Sequence, residues 1–404
     1  MVMRIGRTLP PAASPIRFMD IMSGVSGLLG GVNAVRKFED ALKTFYGVRH
    51  CFAVSSGKAA LALILQALKE LSPEKDEVLI PAYTCYSVPS AIVKAGLKVR
   101  LCDLAPGTLD FDFELIGAQL TNPRLLCIIP THLFGLPANM ERLKKLVKQR
   151  DIFIVEDAAQ AMCSDVKLEK TGTSGDVGLF SLGRGKAFST VEGGIILTDN
   201  DRIGAVIERL LTSVDGYGIA GCMKLVLFTF ALSILIHPRF FWLPKSLPLL
   251  KLGETHFNPC FPIRRLSSFQ AGLAKRWQKR LERLASIRTE NAQKIRALGI
   301  APFGASSEMV PALIRFPVLV SNAEIKKKIL QKSEQMGKGI SDVYPDSIDG
   351  IVGLNYLPDS ASFPVAKDIS KRIISLPVHP YVRGCDVRQI VQLTLSTSSF
   401  YGQE

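Results

Sequence analysis

An α/β fold organised on a mainly parallel sheet is what this sequence predicts, and three observations predict it. Short apolar segments alternate with segments of helical periodicity from residue 34 to about residue 160, the pattern of strands joined by covering helices. The chain has 404 residues, 47% hydrophobic and 21% charged, enough to bury a large core, with two or three domains expected from length. The residues best suited to chemistry fall at the ends of the apolar segments, where sheets of this kind place their ligands.

The elements follow in order. "MVMRIGRTLPPAASPIRFMD" is broken by Pro10, Pro11 and Pro15 and lacks the continuous apolar core of a signal peptide, so it reads as part of an extended arm over residues 1–30. "AVRKFEDALKTFYG" has helical periodicity ending at a glycine, and "VRHCFAV" is a short strand. Ser55 to Lys58 form a turn, and the Ala/Leu-rich run after them is a buried helix. Strands then fall at "EVLIPA", "KVRLCDL", "LLCIIPTHL", "DIFIVEDAA" and "GGIILTD", with helices near "YSVPSAIVKAG", "DFELIGAQL" and "NMERLKKLVKQR". A long basic amphipathic helix over 261–299 bridges from a large domain, 31–260, to a small one, 300–404. In the small domain "LIRFPVLV" and "RIISLPVHP" read as strands, "AEIKKKILQKSEQM" and "DVRQIVQLTL" as helices.

One segment breaks the pattern. Residues 223–253 are strongly apolar, and Leu225 to Ile236 carry no charge, yet this stretch is shorter than the roughly 20 residues of a spanning helix. A buried core helix, a protein partner and contact with a membrane surface all fit it. Lys224, Arg239, Lys245 and Lys251 among Phe240, Phe241 and Trp242 are the flanking residues that suit a membrane interface.

The charge balance, 50 − 36 = +14, favours anionic partners. No zinc-finger spacing, aromatic RNA-binding motif or long basic run accompanies it, so nucleic acid is not expected. The eight cysteines are scattered without a CxxC pair, consistent with reduced thiols in the cytoplasm, and the five histidines are isolated, so no metal site is expected.

Three pieces carry the chemistry. In "VSSGKAAL" a strand turns into a helix through small residues, and a helix N-terminus offers N–H groups to phosphate. "VEDAAQA" ends a strand in Glu156 and Asp157, where a buried carboxylate needs a cationic partner or else caps a helix. "FSLGRGKAFSTVEGG" sets Lys186 in a glycine-lined loop, where lost hydration lowers an amine's pKa and makes it a nucleophile towards carbonyls, although surface lysines are commoner. Together these are what pyridoxal 5′-phosphate requires: a lysine for its aldehyde, an acid for its ring nitrogen and donors for its phosphate.

With "PAYTCYSVPSAIVKAGLKVRLCDL", "IIPTHLFGLPANM", "VEDAAQAM", "GDVGLFSLGRGK" and "SLPVHPY" added, the chain from about residue 30 to 395 resembles the DegT/DnrJ/StrS family of pyridoxal-phosphate-dependent sugar aminotransferases. The resemblance implies the fold type I, aspartate-aminotransferase-like architecture, and a homodimer. It implies that Lys186 binds the cofactor aldehyde covalently and moves the substrate proton, and that Asp157 pairs with the pyridine nitrogen. Gln160 would lie near the 3′-oxygen, and Ser181, Gly57 and Lys58 would bind the phosphate. His132, Tyr344 and His379 match positions near the cleft and are candidate substrate contacts, each also readable as structural.

Departures from the family pattern are also present. Lys58 replaces a common threonine. Cys85 stands where an aromatic side chain usually stacks on the cofactor ring, and Tyr86 beside it is a cofactor-contact candidate that a regular element would aim elsewhere. A family asparagine that reaches the neighbouring subunit has no clear counterpart in "FPIRRLSSFQAGL", where Arg264 or Arg265 could substitute, and residues 223–253 look inserted. The expected reaction is amination of a keto-sugar, nucleotide-linked, with an amino-acid donor such as glutamate, for glycan or polysaccharide synthesis, by a cytoplasmic enzyme peripheral at the inner face of the membrane. The alternatives are a sugar dehydratase or deoxygenase, disfavoured because those relatives often replace the lysine by histidine, and a silent sensor or scaffold.

Overall fold

The computed structural model describes residues 5–162, 170–247, 255–305, 311–358 and 361–399. Cys163 and the last part of the apolar segment, 248–253, lie outside these. Residues 5–17 run without regular structure, and α1 (Phe18–Tyr46) follows. It starts far ahead of Ala34, so the extended arm is shorter than the sequence suggests. The Asp20 carboxylate accepts from the Arg17 N–H at 2.9 Å to hold its first turn. The helix bends at Gly31 (φ 51°, ψ −138°) and stops at Gly47, φ 72°, the left-handed position that favours glycine.

The alternation expected from the sequence then appears as β1 (His50–Val54), α2 (Gly57–Leu71), β2 (Glu77–Pro81), α3 (Ser87–Lys94), β3 (Lys98–Cys102) and α4 (Phe113–Gln119). It continues through β4 (Leu125–Ile128), α5 (Met140–Val147), β5 (Phe153–Asp157), β6 (Val177–Ser181), β7 (Gly194–Thr198) and α6 (Asp201–Thr212). The apolar segment forms α7 (Ile219–Leu235) and α8 (Trp242–Lys245). The single bridging helix expected over 261–299 is instead two, α9 (Ser268–Leu273) and α10 (Trp277–Ala297). Beyond it come β8 (Phe316–Leu319), α11 (Ala323–Met336), β9 (Tyr356–Leu357), α12 (Pro364–Arg372), β10 (Ile373–Leu376) and α13 (Gly384–Ser399).

The large sheet has the order β1-β7-β6-β5-β4-β2-β3-β9. Every pair in it is parallel except those of β7, which runs against both β6 and β1. All residues of β2, β4 and β7 are buried, as strands covered on both faces must be. Helix α2 is buried from Ala59 through Leu65 and again at Ala67 and Leu68, so it fills one side of the sheet as a core helix. The last strand of the sheet comes from the C-terminal part of the chain, and β8 and β10 pair antiparallel beside it as a separate ribbon. This architecture is the fold type I plan, with a mostly parallel central sheet.

Helix α7 is not a core helix. Among its residues only Leu225 and Thr229 are buried, so the core reading of the apolar segment fails for α7, while Phe241 and Pro244 beyond it are buried.

Candidate active site

The carboxyl ends of β1, β6 and β5 bring Val54, Ser181 and Asp157 to one edge of the sheet. Ser56 caps α2 by accepting from the Ala59 N–H at 3.1 Å, and the first-turn N–H groups of Gly57 and Lys58 have no partner within the helix. Two glycines let the backbones close around them. A Cβ on Gly194 would stand 2.2 Å from the Ser56 carbonyl oxygen, and one on Gly57 would stand 2.9 Å from Ser181 Cβ and 3.1 Å from its Oγ. Helix N-terminus, glycine backbone and Ser181 hydroxyl therefore form a small-residue cradle of N–H and O–H donors, the set a phosphate needs. Gly57→Ala is expected to weaken pyridoxal phosphate binding about tenfold or more, roughly 1.4 kcal/mol, as read by absorbance titration of the apoprotein.

Lys186 lies in the loop between β6 and β7 and is half-buried. Burial pushes its amine below the ordinary lysine value; Cys85 and the Asp157 carboxylate offset part of this, and the Arg315 guanidinium adds to it. The neutral, nucleophilic form is thereby favoured. Asp157 is 5% exposed. Its Oδ1 accepts from the Ala159 N–H at 3.0 Å. Burial pushes its carboxyl up, while the Ala159 N–H, Lys186 and His132 pull it back. An acid so placed gains from a cation brought to it, and a protonated pyridine nitrogen is such a cation. The cradle, the amine and the acid thus fit pyridoxal phosphate.

A polar cluster adjoins this pair. Gln160 accepts from the Phe134 N–H at 3.2 Å through Oε1 and donates from Nε2 to the Tyr344 hydroxyl at 3.0 Å. Tyr344 is buried, with Tyr83, Tyr86 and Phe134 rings around it, and Cys85 and Arg315 interact with it. Arg315 donates to Ser341 Oγ at 3.1 Å, and burial lowers its pKa. Lys58 lies with its Nζ 4.7 Å above the Phe261 ring, its backbone at the cradle and its side chain against an aromatic face.

For three candidate contacts the structure shows partners within the protein, as the structural reading of each has it. The Tyr86 hydroxyl donates to the Asp346 carbonyl and accepts from the Asp346 N–H, both at 3.1 Å, so its polar end is committed away from the cofactor. His132 accepts from the Ala138 N–H at Nδ1, 2.9 Å, and its Nε2 meets Glu156 Oε1 at 2.7 Å. Both ring nitrogens are used, leaving neither for substrate. Glu156 also accepts from the Gly172, Ser174 and Gly175 N–H groups at 2.5, 2.7 and 3.1 Å. Although burial raises its carboxyl, these bonds and His132 hold it below the ordinary value.

His379 is likewise structural. Its Nε2 donates to the Pro10 carbonyl at 2.7 Å and its Nδ1 accepts from the Tyr381 N–H at 3.3 Å, fixing the N-terminal arm. Burial pushes its pKa down from 6.5 to about 3. The unfolded chain therefore binds a proton that the native state does not between those values. Stability is complete above about pH 6.5 and falls by about 1.4 kcal/mol per pH unit as pH drops towards 3. His379→Gln is expected to flatten that slope in urea titrations run across this range.

Arg288 was not legible as a site residue. It is 2% exposed and sits in α10 on the same stripe as Leu281, Leu284, Ala292 and Ile295, a helical register in which an arginine signals an internal role. Its guanidinium donates to the Ala187 carbonyl at 2.6 Å and to the Lys186 carbonyl and Ser14 Oγ at 2.9 Å. Ser14 also donates to the Lys186 carbonyl. The backbone under Lys186 is thus held by α10 and the arm together. Arg288→Lys keeps the charge without the planar fork and is expected to lower kcat by about 10- to 100-fold with little change in KM, measured by steady-state kinetics.

Arg264, offered as a replacement phosphate contact, has its guanidinium 5.3 Å above the Tyr217 ring, while its backbone N–H donates to Ser55 Oγ at 3.1 Å. A second concavity lies at the opposite end of the sheet, lined by residues that include Arg49, Thr198, Asp199 and Asp201. Its Arg49 pairs with Asp201 at 2.5 Å, and neither Lys186 nor Asp157 is among its lining residues.

Comparison with known proteins agrees with the geometry. Residues 23–218 and 263–394 match the DegT/DnrJ/EryC1/StrS aminotransferase family. The chain is 26% identical to the spore coat polysaccharide biosynthesis protein SpsC of Bacillus subtilis over 388 residues, 91% of this chain and 90% of the relative. It is 32% identical to GDP-perosamine synthase of Caulobacter vibrioides over 174 residues, 43% of this chain and 46% of that one. Helicobacter pylori PseC, an aminotransferase involved in the biosynthesis of pseudoaminic acid, superposes with a TM-score of 0.78 at 20% identity, covering 98% of this chain and 100% of that structure.

Proposed function

Because the chain belongs to the DegT/DnrJ/EryC1/StrS aminotransferase family, whose aminotransferases are pyridoxal-phosphate-dependent and act in amino-sugar formation, we propose that it moves the amine of glutamate onto a nucleotide-linked keto-sugar for glycan synthesis. The observation that carries this reading is that Lys186 and Asp157 lie close enough for their charges to interact, with the Lys186 and Ser181 side chains both beside Gly183 at the Gly57/Ser181 cradle. The bound cofactor supplies the electron sink for cleavage of a C–H bond next to nitrogen. Asp157, as the carboxylate, keeps the ring nitrogen protonated. Lys186 Nζ takes the proton from the substrate carbon and returns it, and its lowered pKa suits that role. Gln160 and Tyr344 bound the site on the side of Arg315.

The +14 balance favours a diphosphate-bearing substrate, and the polysaccharide and GDP-sugar relatives point the same way. The reading includes a cytoplasmic homodimer, which sedimentation at working concentration checks. For the reaction itself, the holoenzyme is incubated with glutamate and keto-sugar nucleotides, and both products are quantified. Transamination yields 2-oxoglutarate in proportion to amino sugar. Consumption of the keto-sugar without equivalent 2-oxoglutarate makes the enzyme a dehydratase, and no turnover with any donor makes it a scaffold.

A further inference from the structure

We propose that α7 and the first half of α1 form one face that docks on an anionic bilayer surface, so that the enzyme works against a membrane. The two helices touch. In α1, Phe18, Met19, Met22, Val25, Leu28 and Leu29 are exposed, and no charged residue occurs between Asp20 and Arg36. In α7, Ile219, Met223, Leu227, Phe228, Phe230 and Ile234 are exposed. The sequence alone points only to the second of these; their adjacency is a product of the fold.

A second copy of the chain is a poorer occupant than lipid. With Leu225 and Thr229 turned to the protein body, a second copy would have to cover the whole remaining surface of α7, because any strip left in water must be polar. Helix α7 has no such strip: Lys224 is its sole charge, and Thr229, one of its few polar residues, points inward. An all-round apolar helix that is not in a core belongs in an apolar medium. Its 17 residues span about 25 Å at 1.5 Å each, less than the roughly 30 Å hydrocarbon core, so it lies in the interface instead of crossing. Helix α1 is long enough to cross, but Gly24 and Gly27 press it against Gly272 in α9, which keeps one side of it in the protein body.

Charge selects the lipid. Residues 216–247 contain no aspartate or glutamate, whereas Lys224 and Arg239 are exposed there, as are Arg17, Arg36 and Lys37 at the two limits of the α1 stretch. Such a rim attracts anionic headgroups. The family match lapses between residues 218 and 263, so α7 and α8 lie where this chain departs from the family pattern. They border its chemistry: the Arg184 guanidinium, in the loop of Lys186, lies 5.3 Å from the Phe228 ring centroid, and Leu225 packs in one cluster with Val191 and Ile21.

The test is co-sedimentation of the holoenzyme with vesicles of phosphatidylcholine containing one-quarter phosphatidylglycerol, alongside pure phosphatidylcholine. The wild type is expected to bind the anionic vesicles and to quench at Trp242 when the lipid is brominated. Leu227→Glu with Phe230→Glu, and separately Met22→Glu with Leu29→Glu, are expected to lower partitioning about tenfold or more while retaining activity on a soluble substrate, which also reports that they fold. Wild type left in the supernatant, or no Trp242 quenching, overturns the proposal. So does binding unchanged in both variant pairs, which would make charge the whole cause, or loss of a dimer in the variants without vesicle binding by the wild type, which would assign the face to a second copy.

Discussion

Lys186→Ala is expected to leave a folded protein with turnover reduced by more than about 10³-fold, since a positioned acid–base group alone contributes 10²–10⁴ and the covalent anchor for the cofactor is lost with it. The fold should survive because the contacts that Arg288 and Ser14 make in this loop are to the Lys186 and Ala187 carbonyls, not to the amine. Truncation relieves a burial cost, as that amine is desolvated. Steady-state rates with glutamate and a keto-sugar nucleotide, with a melting curve for each protein, check this. A variant retaining a tenth of wild-type turnover would assign the proton transfers elsewhere.

Asp157→Asn is the second large effect, a loss on the order of 10³ in kcat, comparable with removing a preorganised electrostatic partner from a buried site. The amide keeps the shape and can still accept from the Ala159 N–H. The backbone bonds that seat the residue, its N–H to Pro130 and its carbonyl from His132, both 3.0 Å, are untouched. What disappears is the negative charge that holds a proton on the cofactor ring. The expected signature is therefore a cofactor that still binds, visible in the absorbance spectrum, but a half-reaction with glutamate slowed in stopped flow. Equal rates in wild type and variant would remove Asp157 from the chemistry.

How much of this could be read in the sequence depends on whether the deciding interactions are local. Helix α11 occupies the segment expected, because Asn322 caps it through the Ile325 N–H at 2.9 Å and Gly337 ends it at φ 63°, signals that lie within a turn of each boundary. Lys186 and Asp157 were legible because the chemistry demands their residue types at strand ends. The first half of α1 was hidden, since Gly24, Gly27, Gly30 and Gly31 lower its propensity and only packing against α9 makes it a helix.

Histidines illustrate the opposite limit. His132 and His379 stand in motifs near the cleft, yet their nitrogens are spent on Glu156, Ala138, Pro10 and Tyr381, partners separated from them by up to 369 positions. The Tyr381 and Ala138 bonds are local, but nothing local announces those to Glu156 and Pro10. Arg315 was missed although a lone cation in the apolar run "LIRFPVLV" was visible, and a charge inside such a strand is costly unless something there uses it. The two-residue strand β9, which carries the C-terminal part of the chain into the large sheet, is too short to show a period.

The most direct test of the central claim is borohydride reduction of the holoenzyme followed by peptide mass spectrometry. Lys58 is the internal rival, a second lysine at the cradle whose amine is also pushed down, mainly by burial. A pyridoxyl adduct on the peptide carrying Lys186, absent from Lys186→Ala, is the result predicted. An adduct on Lys58, or no adduct in a protein that still turns over, would contradict the assignment of Lys186 as the residue that holds the cofactor.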